Sequence, residues 1–170
     1  MPDGTIIIPD VVLSRLNSEG QLASLLSYAI TSIVQKQAYY VWRLSRQTLA
    51  NVPLEYIAYP QAEQVLRIGI RQMYLAGYDI REAPFAWAVA QGKPVSNPVI
   101  DSRHPDKEIP WYAAYAFNYI SQYYQNVDYS KLKRGRAEYQ QFLKELYKAD
   151  PSLPQAKASD QARASAPAMQ

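Results

Sequence analysis

Apolar residues recur at spacings of three and four along most of this chain, a period that predicts amphipathic helices. Ser18 and Gln21 have the spacing of a capping box, which predicts that the first long helix begins there. We expect this helix to continue to about Gln37, or beyond it towards Trp42. Because a surface helix buries its apolar side, its stripe should face the core. The stripe consists of Leu22, Leu25, Leu26, Ala29, Ile30, Ile33 and Val34.

The same period predicts four further helices, over residues 61–75, 80–91, 111–124 and 130–148. We expect Asp79 to cap the second of these and Gly92 to stop it, and Gly135 to interrupt or bend the last. Residues 93–110 contain four prolines, which predicts an extended surface loop. The one good strand candidate is residues 5–8, ended by Pro9. The predicted fold is therefore mainly α, with a short strand or hairpin before the first long helix.

Length and composition indicate one globular domain, because 170 residues suffice for one core but are short for two domains. Hydrophobic residues make up 48% of the chain, which excludes a wholly disordered protein. We expect the domain to span residues 1–149. Residues 150–170, rich in Ala, Ser, Gln and Pro, should form a disordered tail because they have little to bury.

Charge and hydropathy limit the kinds of partner that we expect for this chain. A net charge of +3 is mild, so we expect no nucleic-acid partner, since such proteins concentrate basic residues. No run of about 20 apolar residues is present, so we expect no transmembrane segment. The first residues lack the pattern of a signal peptide. The absence of cysteine removes disulfides but leaves the compartment open.

Five segments have an order and spacing that is informative as a set. They are DGTIII with the turn after it, QLASLLSYAITSI at 21–33, RIGI at 67–70, AGYD at 76–79 with AP and Trp87, and SRHPD at 102–106. Over residues 3–110 they resemble the HExxH zinc metallopeptidase family that includes HtpX, the CAAX prenyl endopeptidases and BepA. Residues 111–149 would then form a helical C-terminal extension.

The resemblance implies that the family's zinc site is degenerate here. The two histidines of HExxH fall on Tyr28 and Ser32, and the general-base glutamate falls on Ala29. The third zinc ligand falls on Ala62 and a following aspartate on Leu66. A catalytic zinc needs about three His, Glu, Asp or Cys ligands, so we expect neither zinc, the family's cofactor, nor catalysis by the family mechanism.

Two residues are further candidates for a metal-binding or catalytic role. Glu63 lies next to the expected third-ligand position, but one step along a helix turns a side chain by about 100°. His104 is the only histidine, and no partner for it is evident in the sequence. We assign neither residue a catalytic role.

Aromatic residues are concentrated after residue 110, where they allow two interpretations. They can pack the helix against its neighbours, or they can form a protein-binding face, since Tyr and Trp are enriched at interface hot spots. Tyr112, Tyr115, Tyr119 and Tyr123 are expected on one helical face. The candidate protein-binding face consists of Trp111, Tyr112, Tyr115, Tyr119 and Tyr123. The basic residues at 131–136 are interpreted as a solvated helix face.

Three functions remain open from the sequence. The first is a catalytically inactive, metallopeptidase-like domain that binds protein or takes part in assembly. The second is a structural fragment of a larger envelope protein, in keeping with the periplasmic or envelope location that the resemblance implies. The third is a hydrolase with unrecognised residues such as Ser32 with Tyr28, which would need a base. An open edge on the strand at 5–8 would also allow a homo-oligomer or a strand-donating partner.

Overall fold

The computed structural model describes residues 4–47, 54–90 and 111–154, and it confirms a mainly helical fold. The predicted stop at Gly92, the loop at 93–110 with His104, and residues 155–170 of the tail lie outside the described residues. Two short 3₁₀ turns, Ile80–Glu82 and Tyr129–Lys131, accompany the helices. The helices are α1 (Asp10–Leu13), α2 (Glu19–Val34), α3 (Gln37–Gln47), α4 (Leu54–Leu75), α5 (Ala83–Ala90), α6 (Trp111–Tyr123) and α7 (Arg136–Ala149).

The predicted strand at residues 5–8 is wrong. Residues 4–9 have no regular secondary structure and lead into α1 through Pro9. A strand needs a neighbour for its backbone groups. In the described part of the chain the β-bridge is an isolated parallel pair between Tyr78 and Lys133, so it does not involve residues 5–8. Residues 4–9 therefore present no strand edge in this structure.

The start of α2 is as the capping box predicts. The Oγ atom of Ser18 accepts a hydrogen bond from the Gln21 backbone at 3.1 Å, and the Gln21 side chain accepts one from the Asn17 backbone at 3.0 Å. The end of α2 differs from the prediction. The helix stops at Val34, and Lys36 takes a left-handed φ of 50°, so α3 is a separate helix.

The glycine expected to bend the last helix instead precedes it. Gly135 has a left-handed φ of 64° and is the N-cap residue of α7. Residues between α6 and α7 form the second 3₁₀ turn and the bridge segment that pairs with Tyr78. The predicted cap at Asp79 is present, since its carboxylate accepts a hydrogen bond from the Arg81 backbone at 3.0 Å.

Helices α2 and α4 approach closely at Gly69. A methyl group placed there would lie 3.3 Å from both the Oγ of Ser27 and the backbone nitrogen of Tyr28. As predicted, α4 buries its apolar side, including Ala62 and Leu66. The main core cluster joins α4, the first 3₁₀ turn, α5 and α6 through Ile70, Met73, Ile80, Ala83, Ala116 and Ile120.

The predicted orientation of α2 is confirmed only in part. Leu22 and Leu25 pack, partly buried, against the core cluster of Leu16, Tyr139 and Leu143, but Ile30, Ile33 and Val34 are exposed. The buried residues of α2 are Gly20, Gln21, Ser24 and Thr31, which are small or polar. The polar ones are satisfied: the side chain of Gln21 donates to Glu82 at 3.1 Å, and Thr31 donates to Gln72 at 3.0 Å. The aliphatic residues of the expected stripe lie half-buried or exposed.

Candidate functional site

Tyr28 and Ser32 lie one turn apart in the second half of α2, and both reach the first residue of α3. The Oγ of Ser32 donates a hydrogen bond to the Oε1 of Gln37 at 2.7 Å. The Tyr28 hydroxyl lies 3.4 Å from the same Oε1 and 3.3 Å from the Nε2 of Gln37. One amide therefore connects the two side chains that occupy the HExxH histidine positions of the resemblance.

Two other rings pack against the ring of Tyr28. Trp87 of α5 and Tyr112 of α6 meet it edge-on, with centroids 4.9 Å and 5.7 Å away. Trp87 and Tyr112 are stacked on each other at 4.8 Å. We call these three residues the aromatic cluster. Burial raises the pKa of the Tyr28 phenol well above its usual value, so the phenol is protonated and neutral near pH 7.

The residues at the five family positions do not fit a zinc ion. Tyr28 is a neutral phenol packed against two other rings, and the hydroxyl of Ser32 donates to an amide. Ala29, Ala62 and Leu66 have no donor atoms, and the last two are buried in the core. No group of three or more His, Cys, Asp or Glu side chains that could hold a metal occurs within the described ranges. His104 lies outside those ranges.

A second set of rings forms a continuous row at the outer side of α6. We call Tyr59, Trp111, Tyr115, Tyr119 and Tyr123 the aromatic row. Its successive ring centroids are 4.9, 5.2, 6.4 and 4.9 Å apart. The four α6 members are spaced four residues apart, so they follow one another along the same side of the helix.

The sequence prediction placed Tyr112 on the same face as Tyr115, Tyr119 and Tyr123. In the structure the ring of Tyr112 packs against Tyr28 and Trp87 of the aromatic cluster, and it also meets the ring of Trp111 edge-on at 5.1 Å, so Tyr112 lies between the cluster and the row. The sequence prediction did not include Tyr59, because its ring lies beside that of Trp111 only where the fold brings α4 next to α6. The strict spacing of four from residue 111 to 123 was the available signal for the row.

Arg67 adds a cation to the aromatic row. Its guanidinium carbon lies 5.8 Å from the ring centroid of Tyr115, its Nε donates to the Tyr115 hydroxyl at 2.5 Å, and its Nη2 binds Glu63 at 3.1 Å. Glu63 therefore forms a surface ion pair with Arg67. Aromatic rings, hydroxyls and a guanidinium are therefore collected on one partly exposed surface.

Two buried carboxylates form a network that the sequence did not reveal. Asp79 accepts hydrogen bonds from the side chains of Arg81 at 2.8 Å and Arg134 at 2.7 Å. Glu82 lies 3.3 Å from Arg136 and 3.6 Å from Arg134. The interpretation of the basic residues at 131–136 as a solvated helix face is therefore wrong for both arginines. They pair with buried acids and connect the start of α7 to the turn before α5.

No helix in the described part of the chain is both long and apolar enough to cross a membrane. Comparison of the chain with protein-family models, curated proteins and solved structures found no match.

Proposed function

We propose that this chain is a non-catalytic, metallopeptidase-like domain whose function is to bind protein. The observation that carries the proposal is the aromatic row with Arg67. Tyrosine, tryptophan and arginine are the residue types most enriched at the energetic centres of protein interfaces. Large rings with polar ends can lose water at an interface while their hydroxyls keep hydrogen bonds.

The ends of the row support a binding role better than a purely internal packing role. Tyr59 and Tyr123 are 43% and 63% exposed, although both rings are large and apolar. Between these two ends of the row lie Trp111, Tyr115 and Tyr119. They are half-buried, and each has a ring contact on both sides. A surface that is already ordered loses little conformational freedom on binding, which favours affinity.

The proposed loss of catalysis is supported by the chemistry of the family positions. An HExxH enzyme needs two imidazoles to hold zinc and a carboxylate to activate water. Tyr28 and Ser32 are engaged with Gln37 instead, and Ala29 has no titratable group. The relationship to the metallopeptidases itself is part of this proposal and depends on the order and spacing of the five sequence segments.

A capture experiment with matched variants tests the binding function. The full chain would be immobilised and exposed to a bacterial envelope extract, and bound proteins would be quantified by mass spectrometry. Tyr119→Ala and Trp111→Ala should reduce the specifically bound protein by about tenfold or more, as loss of a hot-spot residue does. Phe142→Ala removes an exposed ring from α7, outside the row, and should leave capture unchanged.

Helical content and unfolding midpoint of each variant would be compared with the parent chain to separate binding from folding. If folded Tyr119→Ala and Trp111→Ala variants retain full capture, the row is not the binding surface. If the parent chain captures nothing above the level of a denatured control, the proposed function itself fails.

A further inference from the structure

Helix α2 carries apolar residues on the side away from its most buried residues, and of these Leu22 also packs in part against the core cluster of Leu16, Tyr139 and Leu143. Gly20, Ser24 and Thr31 are buried. At about 100° per residue, Leu22, Leu26 and Ile33 lie on the roughly opposite side of the helix. Ile30 and Ile33 are 46% and 40% exposed. We call Leu22, Leu26, Ile30 and Ile33 the outer stripe of α2.

The outer stripe borders a groove with a volume of about 470 Å³. Leu22, Leu26 and Ile30 form one wall of the groove, and Met73 of α4 and Ala76, just after the end of α4, contribute to the rest of its lining. The spacing of four between the α2 residues gives a straight apolar edge along the helix. An apolar edge beside an apolar groove can pack against another helix side by side.

We propose that α2 pairs with α2 of a second copy of this chain, antiparallel and about a two-fold axis near the middle of the helix. In that register Leu22 meets Ile33 of the other copy, and Leu26 meets Ile30. A two-fold axis repeats each contact, so one stripe, half-buried at Leu22 and Leu26 and exposed at Ile30 and Ile33, supplies both sides of the interface. This proposal uses a different surface from the aromatic row and does not depend on the proposed function.

Charges at the two ends of the helix select a second copy in this orientation. Glu19 is the first residue of α2, and Lys36 follows its last turn. Antiparallel pairing places Glu19 of each copy beside Lys36 of the other, so opposite charges flank the apolar contacts. Lys133 already binds the Oε2 of Glu19 at 2.6 Å, which leaves Oε1 to accept a further bond. Parallel pairing would place the two Lys36 ammonium groups together and is disfavoured.

Sedimentation equilibrium of the full chain tests the association. A dimer should form at concentrations up to about 100 μM, the range that detects a micromolar Kd. Ile33→Glu and Ile30→Glu place carboxylates in the interface and should weaken the Kd by about tenfold or more. Phe142→Glu is the matched control, because Phe142 is 41% exposed on α7, and it should dimerise like the parent.

Disulfide trapping tests the register, because the natural chain contains no cysteine. A mixture of Glu19→Cys and Lys36→Cys chains should form the mixed disulfide on mild oxidation. Lys36→Cys alone should not cross-link, since antiparallel pairing separates the two Cys positions by roughly 24 Å, the length of a 16-residue helix. The trapping remains informative if Ile33→Glu fails to fold.

Several results would overturn the proposal. A clean monomer at the highest concentration would do so, as would a dimer unaffected by folded Ile30→Glu and Ile33→Glu variants. Efficient cross-linking of Lys36→Cys with itself would contradict the antiparallel arrangement. A monomer whose Ile33→Glu variant loses capture of a different protein would assign the outer stripe to that protein instead.

Discussion

Removal of the Glu82 carboxylate should destabilise the fold more than removal of any surface acid. The side chain is 4% exposed and accepts hydrogen bonds from the Ser18 hydroxyl at 3.0 Å and the Gln21 amide at 3.1 Å. Arg134 and Arg136 lie 3.6 and 3.3 Å from its other oxygen. Glu82 therefore holds the start of α2 and the start of α7 to the turn before α5.

The expected cost of Glu82→Ala follows from these four contacts. Each buried donor left without an acceptor costs about 1–3 kcal/mol, and breaking a buried ion pair costs about 3–5 kcal/mol. The arginine part must be discounted, because Arg134 and Arg136 are 36% and 31% exposed and can regain water. We expect a loss of about 3 kcal/mol. This is a large share of the free energy of unfolding of a typical domain, which is about 5–15 kcal/mol.

Urea unfolding followed by far-ultraviolet circular dichroism measures this loss. With a slope of about 2 kcal/mol per molar urea, the midpoint should fall by about 1.5 M. Glu63→Ala is the matched control, because Glu63 forms an exposed ion pair with Arg67 four residues away, and it should cost about 0.5 kcal/mol or less. If Glu82→Ala and Glu63→Ala have equal midpoints, the network does not stabilise the fold as described.

Three further predictions concern the same core. Burial raises the pKa of Asp79, but hydrogen bonds from Arg81 and Arg134 outweigh it and hold that pKa below its usual 3.8. Ionised Asp79 therefore stabilises the fold above about pH 4, and this contribution is lost as the pH falls through the lowered pKa. Urea titrations across this range should show Asp79→Asn losing less stability with acid than the parent. Gly69→Ala should cost about 1 kcal/mol net in the same assay, because the methyl would lie 3.3 Å from a backbone nitrogen of α2. Gly77→Ala should lower the free energy of unfolding by a similar amount, about 1 kcal/mol, through strain alone, since its φ is 81° and nothing lies within 4 Å of the new methyl.

The sequence predicts local structure well where one short-range interaction decides it. The hydroxyl of Ser18 and the side chain of Gln21 define the start of α2 within a few residues, and the structure agrees. The burial of Ala62 and Leu66 follows in the same way from the helical period of α4. These features need no knowledge of distant segments.

The orientation of α2 could not be predicted from its own sequence. A helix period identifies an apolar side but not which side the rest of the protein covers. Gln21 and Thr31 are buried because Glu82 and Gln72, more than 40 residues away in the chain, accept their hydrogen bonds. Arg134 was misjudged for the same reason, since its acidic partners precede it by 50 residues or more.

The candidate site likewise depends on contacts that the local sequence does not predict. Tyr28 and Tyr112 are far apart in sequence, and only the packing of α2 against α5 and α6 brings their rings together. Residues 5–8 have strand-like composition, but a strand also requires a partner, which composition does not report. Contacts between distant segments therefore decide which of these residues pack together and which segments form regular structure.

Metal analysis of the purified full chain tests the central claim most directly. The protein would be dialysed against micromolar zinc, freed of unbound metal and analysed for zinc per chain, with casein degradation measured in parallel. We predict zinc far below one equivalent and no degradation, because Tyr28, Ala29, Ser32 and Ala62 supply neither the ligands nor the base of an HExxH site. Zinc at about one equivalent, with proteolysis that a chelator abolishes, would contradict the account.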